Sequence, residues 1–380
     1  MNDLVIVAAR RTPQGRLLGA LAGLSAADLG VHAAQAALAG LDPAAIDQVV
    51  VGNVLSAGLG MNVARQIGLR AGLPEAVPAC TINQMCGSGM AAVIAAAQAI
   101  RSGEAEAVLC GGTESMSNAP QLLQRAPNVR RIGSDGRADH LLADGLTDPL
   151  SGEHMACTAE RLATRYRISR EEQDAHAEAS HAAWAAAQAA GIFAAELAPV
   201  PGLDKDEHPR PGITAGKLGT LKPAFSASGT ITAGNASGIN DGAAMLVLAS
   251  AAAAQRRGWR ILARISSWSV VGCDPVVMGL GPVHAIRRLR ERGLDPGSCE
   301  LIELNEAFAA QAIACQRELQ LSPDRLNRCG GAIAIGHPIG ATGARLLVHL
   351  AQRTAAGACR RALAALCVGG GMGIAITLEA

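Results

Sequence analysis

Two stretches of the chain share one order of elements: a helix that begins after glycines, then an apolar strand that ends in glycines. The first pairs a predicted helix at 88–103 with a strand at 107–112. The second pairs a helix at 340–357 with a strand at 362–370, and a closing strand at 373–379 follows at once. Because both stretches follow the same pattern, we interpret them as an internal repeat.

The closing strand of the first copy is displaced along the sequence. Its equivalent is the apolar run at 243–250, so the segment 119–239 is predicted to be an insertion between two neighbouring strands. This segment is more polar than the rest. It contains a predicted solvated helix at 169–191 and an irregular loop at 201–212.

The remaining chain alternates short β-branched runs with alanine-rich helical runs, a pattern typical of an α/β fold with partly parallel sheets. Several runs are apolar on both faces, as buried strands are. The further strands are predicted at 4–9, 48–54, 261–272 and 301–304. We therefore predict a first half formed by 1–118 with 240–260, an inserted loop domain at 119–239, and a second half at 261–380.

Composition excludes several classes of function. The net charge is +1, from 33 basic and 32 acidic residues, which argues against nucleic-acid and membrane-surface binding. Neither an export signal nor a membrane-spanning run is visible. The ten cysteines therefore indicate free thiols in a reducing compartment, and their spacing does not suggest a metal site. We expect a cytoplasmic protein.

Cys86 stands between a β-compatible run and a helix start in "TINQMCGSGM". A thiol at a helix N-terminus meets the positive end of the helix dipole, which favours the thiolate. Gly87 and Gly89 leave room for a substrate at the sulfur and for backbone N–H groups that face an oxyanion. The alternative is a small buried cysteine in a crowded turn, because free cysteines are often buried.

His337 lies between Gly336 and Pro338 in "GGAIAIGHPIGATGAR", on a glycine-rich loop that leads into a helix. The repeat places Gly340 opposite Cys86. His337 is therefore predicted to lie near the same strand ends as the cysteine. The alternative is a structural histidine with satisfied hydrogen bonds.

Asn305 and Cys367 are weaker candidates when each is taken alone. Asn305 stands where a strand meets a helix in "LIELNEAFAAQAIA" and could simply cap that helix. Cys367 precedes three glycines and could be a packed core thiol, as could Cys110 at the comparable place in the first half. As a set, two thiols, a loop histidine and an asparagine at strand ends suit nucleophilic catalysis with proton transfer at carbon. A dinucleotide fingerprint, a Walker A motif and a serine G-x-S-x-G are absent.

Together these segments resemble the thiolase family over nearly the whole chain. The resemblance implies two similar α/β halves stacked as a five-layered α-β-α-β-α core with an inserted loop domain. The motifs that carry it, in chain order, are "RTPQGRLLGAL", "NQMCGSGM", "GGTESMSNAP", "HMACTAERLA", "TAGNASGINDGAA", "LNEAFAAQ", "GGAIAIGHPIGATGAR" and "CVGGGMG".

The resemblance implies a reversible condensation of two acetyl-CoA molecules through an acyl-cysteine intermediate. Cys86 would accept the acyl group, and His337 would activate it and later hold a thioester oxygen. Cys367 would move the proton at the α-carbon, and Asn305 would fix a water. Backbone N–H groups of Cys86 and Gly369 would form a second oxyanion hole. No cofactor or metal is implied besides the coenzyme A thioesters.

The resemblance also implies that coenzyme A lies over the inserted domain. Ser237 would contact the pantetheine arm, although it could be a plain turn serine, and Arg210 would approach the nucleotide. The remaining substrate or coenzyme A contacts are implied at His154, Met155, Phe225, Met278 and Phe308. The pair "HM" ahead of "TAE" resembles the short-chain, acetoacetyl-CoA type.

Some features depart from the family pattern. Ala156 stands where a glycine is common, Cys329 where an asparagine is usual, and Cys157 is atypical, which leaves the acyl-chain preference open. A homotetramer, a dimer of dimers, is usual for short-chain relatives. The stretch 121–150 lacks aromatic residues often found there, so a dimer is the minimum expected.

The same residues bear on several alternative functions. A decarboxylating condensing enzyme usually pairs one cysteine with two histidines, and a non-catalytic acyl-CoA-binding protein would lose one of the reactive groups. A Cys–His thioesterase would not need Cys367. A thiolase for longer or dicarboxylic substrates, such as 3-oxoadipyl-CoA, remains open, and the direction of flux depends on metabolite levels.

Overall fold

The computed structural model describes residues 3–123 and 137–380. Its strands are β1 (Leu4–Arg11), β2 (Gly15–Arg16), β3 (Gln48–Gly52), β4 (Ala79–Ile82), β5 (Ala107–Ser115), β6 (Gln121–Leu123), β7 (Arg137–Asp139), β8 (Asn240–Ser250), β9 (Ala263–Gly272), β10 (Leu301–Leu304), β11 (Arg361–Val368) and β12 (Met372–Glu379). Its α-helices are α1 (Ala26–Leu38), α2 (Val63–Arg70), α3 (Ser88–Ser102), α4 (Met155–Tyr166), α5 (Arg170–Ala189), α6 (Ala215–Gly219), α7 (Ala251–Arg256), α8 (Gly281–Glu291), α9 (Ala309–Leu319), α10 (Ala332–Ile335) and α11 (Ile339–Ala355). A π-helical turn spans Leu141–Leu146.

One mixed sheet runs through the molecule in the order β4-β3-β5-β8-β1-β9-β12-β11-β10. It consists of two half-sheets that join where β1 pairs with the start of β9. Read outward from this junction, β1-β8-β5-β3 matches β9-β12-β11-β10 in order. The directions match too: the first three pairings of each half are antiparallel, antiparallel and parallel. The predicted repeat of two α/β halves is confirmed.

The core lies in layers on both sides of these half-sheets. Helices α3 and α11 pack between the two half-sheets in one cluster of buried side chains. Helices α1 and α2 cover the outer face of the first half-sheet, and α8 and α9 cover the outer face of the second. The expected α-β-α-β-α order is therefore present.

Close approach of the two central helices depends on glycine. A Cβ at Gly89, in the first turn of α3, would lie 2.9 Å from the carbonyl oxygen of Gly340 and 2.9 Å from the amide nitrogen of Ala344 in α11. Real Cβ contacts are longer, so a side chain at Gly89 would push the helices apart. This contact brings the N-termini of α3 and α11 together at one end of the molecule.

The insertion differs from its prediction in one respect. The predicted solvated helix is α5, but it buries one face through Ala177, His181 and Trp184. Trp184 packs against Phe193 and Cys329. Alanine on both faces hid the amphipathic pattern from the sequence, because a small side chain fits a buried or an exposed position equally well.

The limits of the three segments remain a prediction. Part of the aromatic-poor stretch considered above, residues 124–136, lies outside the described residues. Within residues 3–123 and 137–380, no helix is long and apolar enough to cross a membrane.

Candidate active site

A cavity of about 520 Å³ opens where the N-termini of α3 and α11 meet the end of β11. Cys86, His337, Cys367 and Gly369 all line it. Asn305 lies behind His337 and is fully buried. The structure thus brings together the five residues that the resemblance implied for catalysis.

Cys86 is presented by a strained turn between β4 and α3. Met85, just before it, has a left-handed backbone with φ of 47°, a conformation that costs a non-glycine residue about 1 kcal/mol or more. The Ser88 hydroxyl holds the turn, because it accepts from the Gln84 amide at 2.8 Å and donates to the Met85 carbonyl at 2.7 Å. The chain lacks a serine elbow motif, yet this strand–turn–helix presents Cys86 in a comparable way.

The resting state of Cys86 is the thiol, not the thiolate favoured by the sequence argument. Burial raises the pKa of the Cys86 thiol to about 11, and the nearby Glu114 carboxylate adds to this. Backbone N–H groups of Gly369 and of Cys86 itself face the sulfur and act in the opposite direction. Desolvation therefore outweighs the helix terminus. The expectation of a thiol with lowered pKa is wrong for the free protein.

His337 is neutral and fixed on both sides. Burial, with a smaller contribution from the charge of Arg345, lowers the pKa of His337 to about 3. Its backbone N–H donates to Asn240 Oδ1 at 3.0 Å, and its ring Nδ1 lies 2.7 Å from Thr342 Oγ1. A neutral imidazole in the same cavity as a neutral thiol is chemically suited to accept the thiol proton as the sulfur attacks.

Asn305 does not cap a helix. Its amide N–H donates to the carbonyl of Ala365 in β11 at 2.9 Å, and α9 begins only at Ala309, after Phe308. The Asn305 side-chain Nδ2 lies 3.5 Å from His337 Nε2, while its Oδ1 is buried without a protein partner. Asn305 therefore belongs to the site, and the capping interpretation is wrong.

Cys367 lies on β11 and is 1% exposed. It packs in a cluster with Met155, Met278 and Phe308. Burial raises the pKa of the Cys367 thiol well above its usual range, and the nearby Cys86 adds to the rise. The site thus holds two protonated thiols within electrostatic range of each other.

Glu114, at the end of β5, ties the loops of the site together. Its carboxylate accepts from the amide of Gly340 at 2.9 Å and from the amides of Val54 and Leu55 at 3.1 Å each. The Asn53 side chain donates to it at 2.8 Å. Burial raises the pKa of Glu114 to about 7, although these backbone N–H groups stabilise its charged form.

The residues implied for substrate and coenzyme A binding all line the same cavity: His154, Met155, Arg210, Phe225, Ser237, Met278 and Phe308. The His154 ring stacks on Phe225 with centroids 4.5 Å apart. Its Nδ1 accepts from the Ala156 amide at 3.1 Å, so His154 caps α4. The Ser237 amide donates to the carbonyl of Ala307 at 3.0 Å, which fixes this loop against the segment that carries Phe308.

Several lining residues were not identified from the sequence. Arg16 and His208 stand near Arg210 on the cavity wall, and Met116, Leu142 and Leu146 form apolar wall. Arg16 lies within the motif "RTPQGRLLGAL", and this motif could have identified it as a residue of the site. His208 gave no local signal, because it lies in an irregular loop and reaches the cavity only through the fold.

The departures from the family pattern fall in different places. Ala156 is buried in the cluster that contains Met155 and Cys367, so it supports the part of the cavity wall that these two residues line. Cys329 lies away from the cavity, packed with Trp184 and Phe193. All ten cysteines are free thiols. Over the described part of the chain, no cluster of His, Cys, Asp and Glu side chains could hold a metal ion.

Comparisons with known proteins agree with this geometry. The family model described as "Thiolase, N-terminal domain" matches residues 4–252, and "Thiolase, C-terminal domain" matches 259–380. The acetyl-CoA acetyltransferase of Pseudomonas aeruginosa is 48% identical, with 100% of this chain and 99% of that protein covered. The acetyl-CoA acetyltransferase of Cupriavidus necator is 46% identical, with both chains covered completely.

Solved structures show the same likeness. The human mitochondrial 3-ketoacyl-CoA thiolase in complex with CoA superposes with a TM-score of 0.96 at 43% identity, covering 100% of this chain and 98% of that one. The Bacillus anthracis acetyl-CoA acetyltransferase gives 0.96 at 41% identity, with 100% and 99% covered.

Proposed function

The chain belongs to the thiolase family, and from that premise we propose that it is an acyl-CoA C-acyltransferase that interconverts two acetyl-CoA with acetoacetyl-CoA and CoA. The observation that carries the proposal is the convergence of Cys86, His337 and Cys367 on one cavity. The reaction needs a nucleophile, a base for it, and a group that moves a proton at carbon. These three residues supply one of each.

In the direction of cleavage, the Cys86 sulfur attacks the 3-oxo carbon while its proton passes to Nε2 of His337. The bond between C2 and C3 breaks, and the carbanion takes the proton of the Cys367 thiol. The raised pKa of Cys367 suits this role, because the group is protonated when the carbanion forms.

The second half of the reaction restores both groups. The thiol of CoA attacks the acyl-cysteine and gives its proton to the Cys367 thiolate, while the departing Cys86 sulfur takes the proton from His337. Backbone N–H groups of Cys86 and Gly369, which face the Cys86 sulfur, are placed to stabilise the oxyanion at the acyl carbon. Asn305 and His337 would hold the oxygen of the other thioester.

Coenzyme A is the proposed ligand of the outer cavity. Arg16 and Arg210 bring positive charge to its wall, which suits phosphate groups. Ser237 would meet the pantetheine arm, and the apolar side chains of Met155, Met278 and Phe308 would enclose the acyl end. No group beyond the CoA thioesters enters the proposed steps.

A short acyl chain is the proposed preference. Relatives at 45–48% identity over nearly their full length carry the name acetyl-CoA acetyltransferase, and their names support that choice for this chain. A series of 3-oxoacyl-CoA substrates of increasing length measures it, and a kcat/KM that rises with length would contradict the short-chain proposal.

The function is tested by CoA-dependent cleavage of acetoacetyl-CoA with Cys367→Ala. We expect the variant to lose cleavage by about a thousandfold, the size of a general acid–base contribution, while Cys86 still accepts an acetyl group from acetyl-CoA. The matched control is Cys110→Ala, a buried cysteine on β5 at the comparable place of the other half, which should retain cleavage. If the parent protein cleaves no 3-oxoacyl-CoA, the proposed function is wrong. If Cys367→Ala hydrolyses acyl-CoA at the parent rate, a thioesterase is favoured.

We also propose that the chain forms a homo-oligomer. It would be at least a dimer and, as is usual for short-chain relatives, a tetramer. Strand β4 lies at the edge of the sheet next to the Cys86 turn, and within the described chain it pairs only with β3. This leaves an edge for a second copy. Sedimentation velocity measures the oligomeric state, and a monomer at assay concentration would contradict the proposal.

The cytoplasm is the proposed compartment, because ten free thiols fit a reducing environment. Cell fractionation tests this proposal.

A further inference from the structure

We infer that Thr342 is a positioning residue that keeps the proton of His337 on Nδ1 and so leaves Nε2 free to accept the proton of Cys86. The inference rests on the proposed function and deepens it. It adds a third member to the Cys86–His337 pair, in the place where an orienting group is needed behind a catalytic base.

The hydrogen bonds around Thr342 define the proton on Nδ1. The Thr342 hydroxyl oxygen lies 2.7 Å from His337 Nδ1 and donates its own proton to the carbonyl of Pro338 at 2.9 Å. A hydroxyl has only one proton to donate. Because that proton goes to Pro338, the short contact with the ring is a bond that Nδ1–H donates to the hydroxyl.

The contact at the other ring nitrogen is compatible with this tautomer. Asn305 Nδ2 lies 3.5 Å from His337 Nε2, and an amide nitrogen can only donate. An Nε2 that carries a lone pair fits this contact, and at 3.5 Å the contact leaves that lone pair open to a closer donor such as the Cys86 thiol. The short Thr342 contact therefore selects the tautomer with its proton on Nδ1.

The ring has no other fixed partner on its Nδ1 side among the described hydrogen bonds. The His337 backbone is held by Asn240, whose Oδ1 accepts from the amide at 3.0 Å and whose Nδ2 donates to the carbonyl of Gly15 at 2.8 Å. These two hydrogen bonds fix the loop, but the imidazole ring could still rotate about its side-chain bonds. Thr342, fully buried in the first turns of α11, removes this freedom.

The proton transfers that acyl transfer requires are consistent with this arrangement. As the bond between Cys86 Sγ and the acyl carbon forms, the thiol proton moves to Nε2, and the ring becomes imidazolium with Nδ1–H still bonded to Thr342. When the bond between the acyl carbon and the CoA sulfur breaks, the departing thiolate takes the proton from Nε2. Thr342 gains and loses no proton at any stage.

The test combines a rate with a direct measurement of the tautomer. Thr342→Val keeps the side-chain shape and removes the hydroxyl, Thr342→Ser restores it, and Thr354→Val removes a buried hydroxyl from the far end of the same helix. The rate is single-turnover acetylation of Cys86 by acetyl-CoA. The tautomer is read from ¹⁵N shifts of labelled histidine, with His337 assigned among the nine histidines by comparison with His337→Gln.

We expect Thr342→Val to acetylate Cys86 about tenfold more slowly, the effect of one buried hydrogen bond, and to place a proton on Nε2 of His337. Thr342→Ser should recover most of the rate, and Thr354→Val should change neither observable. An Nε2–H tautomer in the parent protein would overturn the inference, as would equal losses in the Ser and Val variants. If Thr342→Val fails to fold, the tautomer of the parent still decides. A parent that is never acetylated refutes the proposed function, whereas the tautomer measurement stands apart from it.

Discussion

Cys86 and His337 line the same cavity, and both are neutral groups in the free protein. The two pKa shifts run in opposite directions and have the same main cause, because burial raises the pKa of the thiol to about 11 and lowers that of the imidazole to about 3. A buried ion pair would pay two desolvation penalties. Charge therefore develops only as substrate arrives and the proton moves.

The pH dependence of Cys86 alkylation tests this neutral pair. Iodoacetamide reacts with the thiolate, so with a pKa near 11 the rate should rise about tenfold per pH unit from pH 7 to 10. Peptide mass spectrometry follows Cys86 apart from the exposed Cys80. A rate that levels off below pH 8 would indicate a preformed thiolate and contradict the neutral pair.

At the residue scale, the sequence pointed to the candidate catalytic residues but not to the residues that hold them in place. Glycines beside Cys86 and His337 marked both as unusual positions. Thr342 stands in the quoted motif beside His337, but its hydroxyl could equally have bonded only its own helix. Asn240 is 97 residues from His337, and no local pattern connects them.

At the scale of elements, the site depends on two helices that enter it from one side. The repeat was visible in the sequence because helix α3 before β5 and helix α11 before β11 have the same glycine-led pattern. The contact between Gly89 and Gly340 explains those glycines as a close approach of backbones. Glu114 then holds the first turn of α11 to the loop after β3 through one carboxylate.

Some of the elements that the sequence did not reveal are short or ambiguous. Strands β2, β6 and β7 span two or three residues, too few for an alternating pattern to appear. The buried face of α5 was hidden by alanine. In each case the tertiary contacts decide the structure, and a local pattern carries too little information to predict them.

At the scale of the whole molecule, a buried charge network ties the inserted segment to the core. Arg11 in β1 donates from Nε to Glu196 at 2.7 Å and makes a two-pronged contact with Asp206 at 2.6 and 3.0 Å. Asp206 precedes the loop that brings His208 and Arg210 to the cavity. The network thereby positions the proposed coenzyme A wall relative to the sheet.

Removing the buried guanidinium should destabilise the protein. Arg11→Met leaves Asp206 buried without its cation and leaves Glu196 with His349 as its remaining cationic partner, which we expect to lower the free energy of unfolding by about 3 kcal/mol or more. The matched control is Arg256→Met, which breaks an exposed pair with Glu106 and should change it by less than about 1 kcal/mol. Denaturant titration measures both, and equal effects would contradict a structural role for the network.

The central claim is that Cys86 carries the acyl group, and intact mass tests it most directly. The protein is mixed with acetyl-CoA, quenched in acid and weighed beside Cys86→Ala. The account predicts one acetyl adduct on the parent, mapped to Cys86, and none on the variant. A parent without an adduct from acetyl-CoA or longer acyl-CoA, or an adduct that persists in Cys86→Ala, would contradict it.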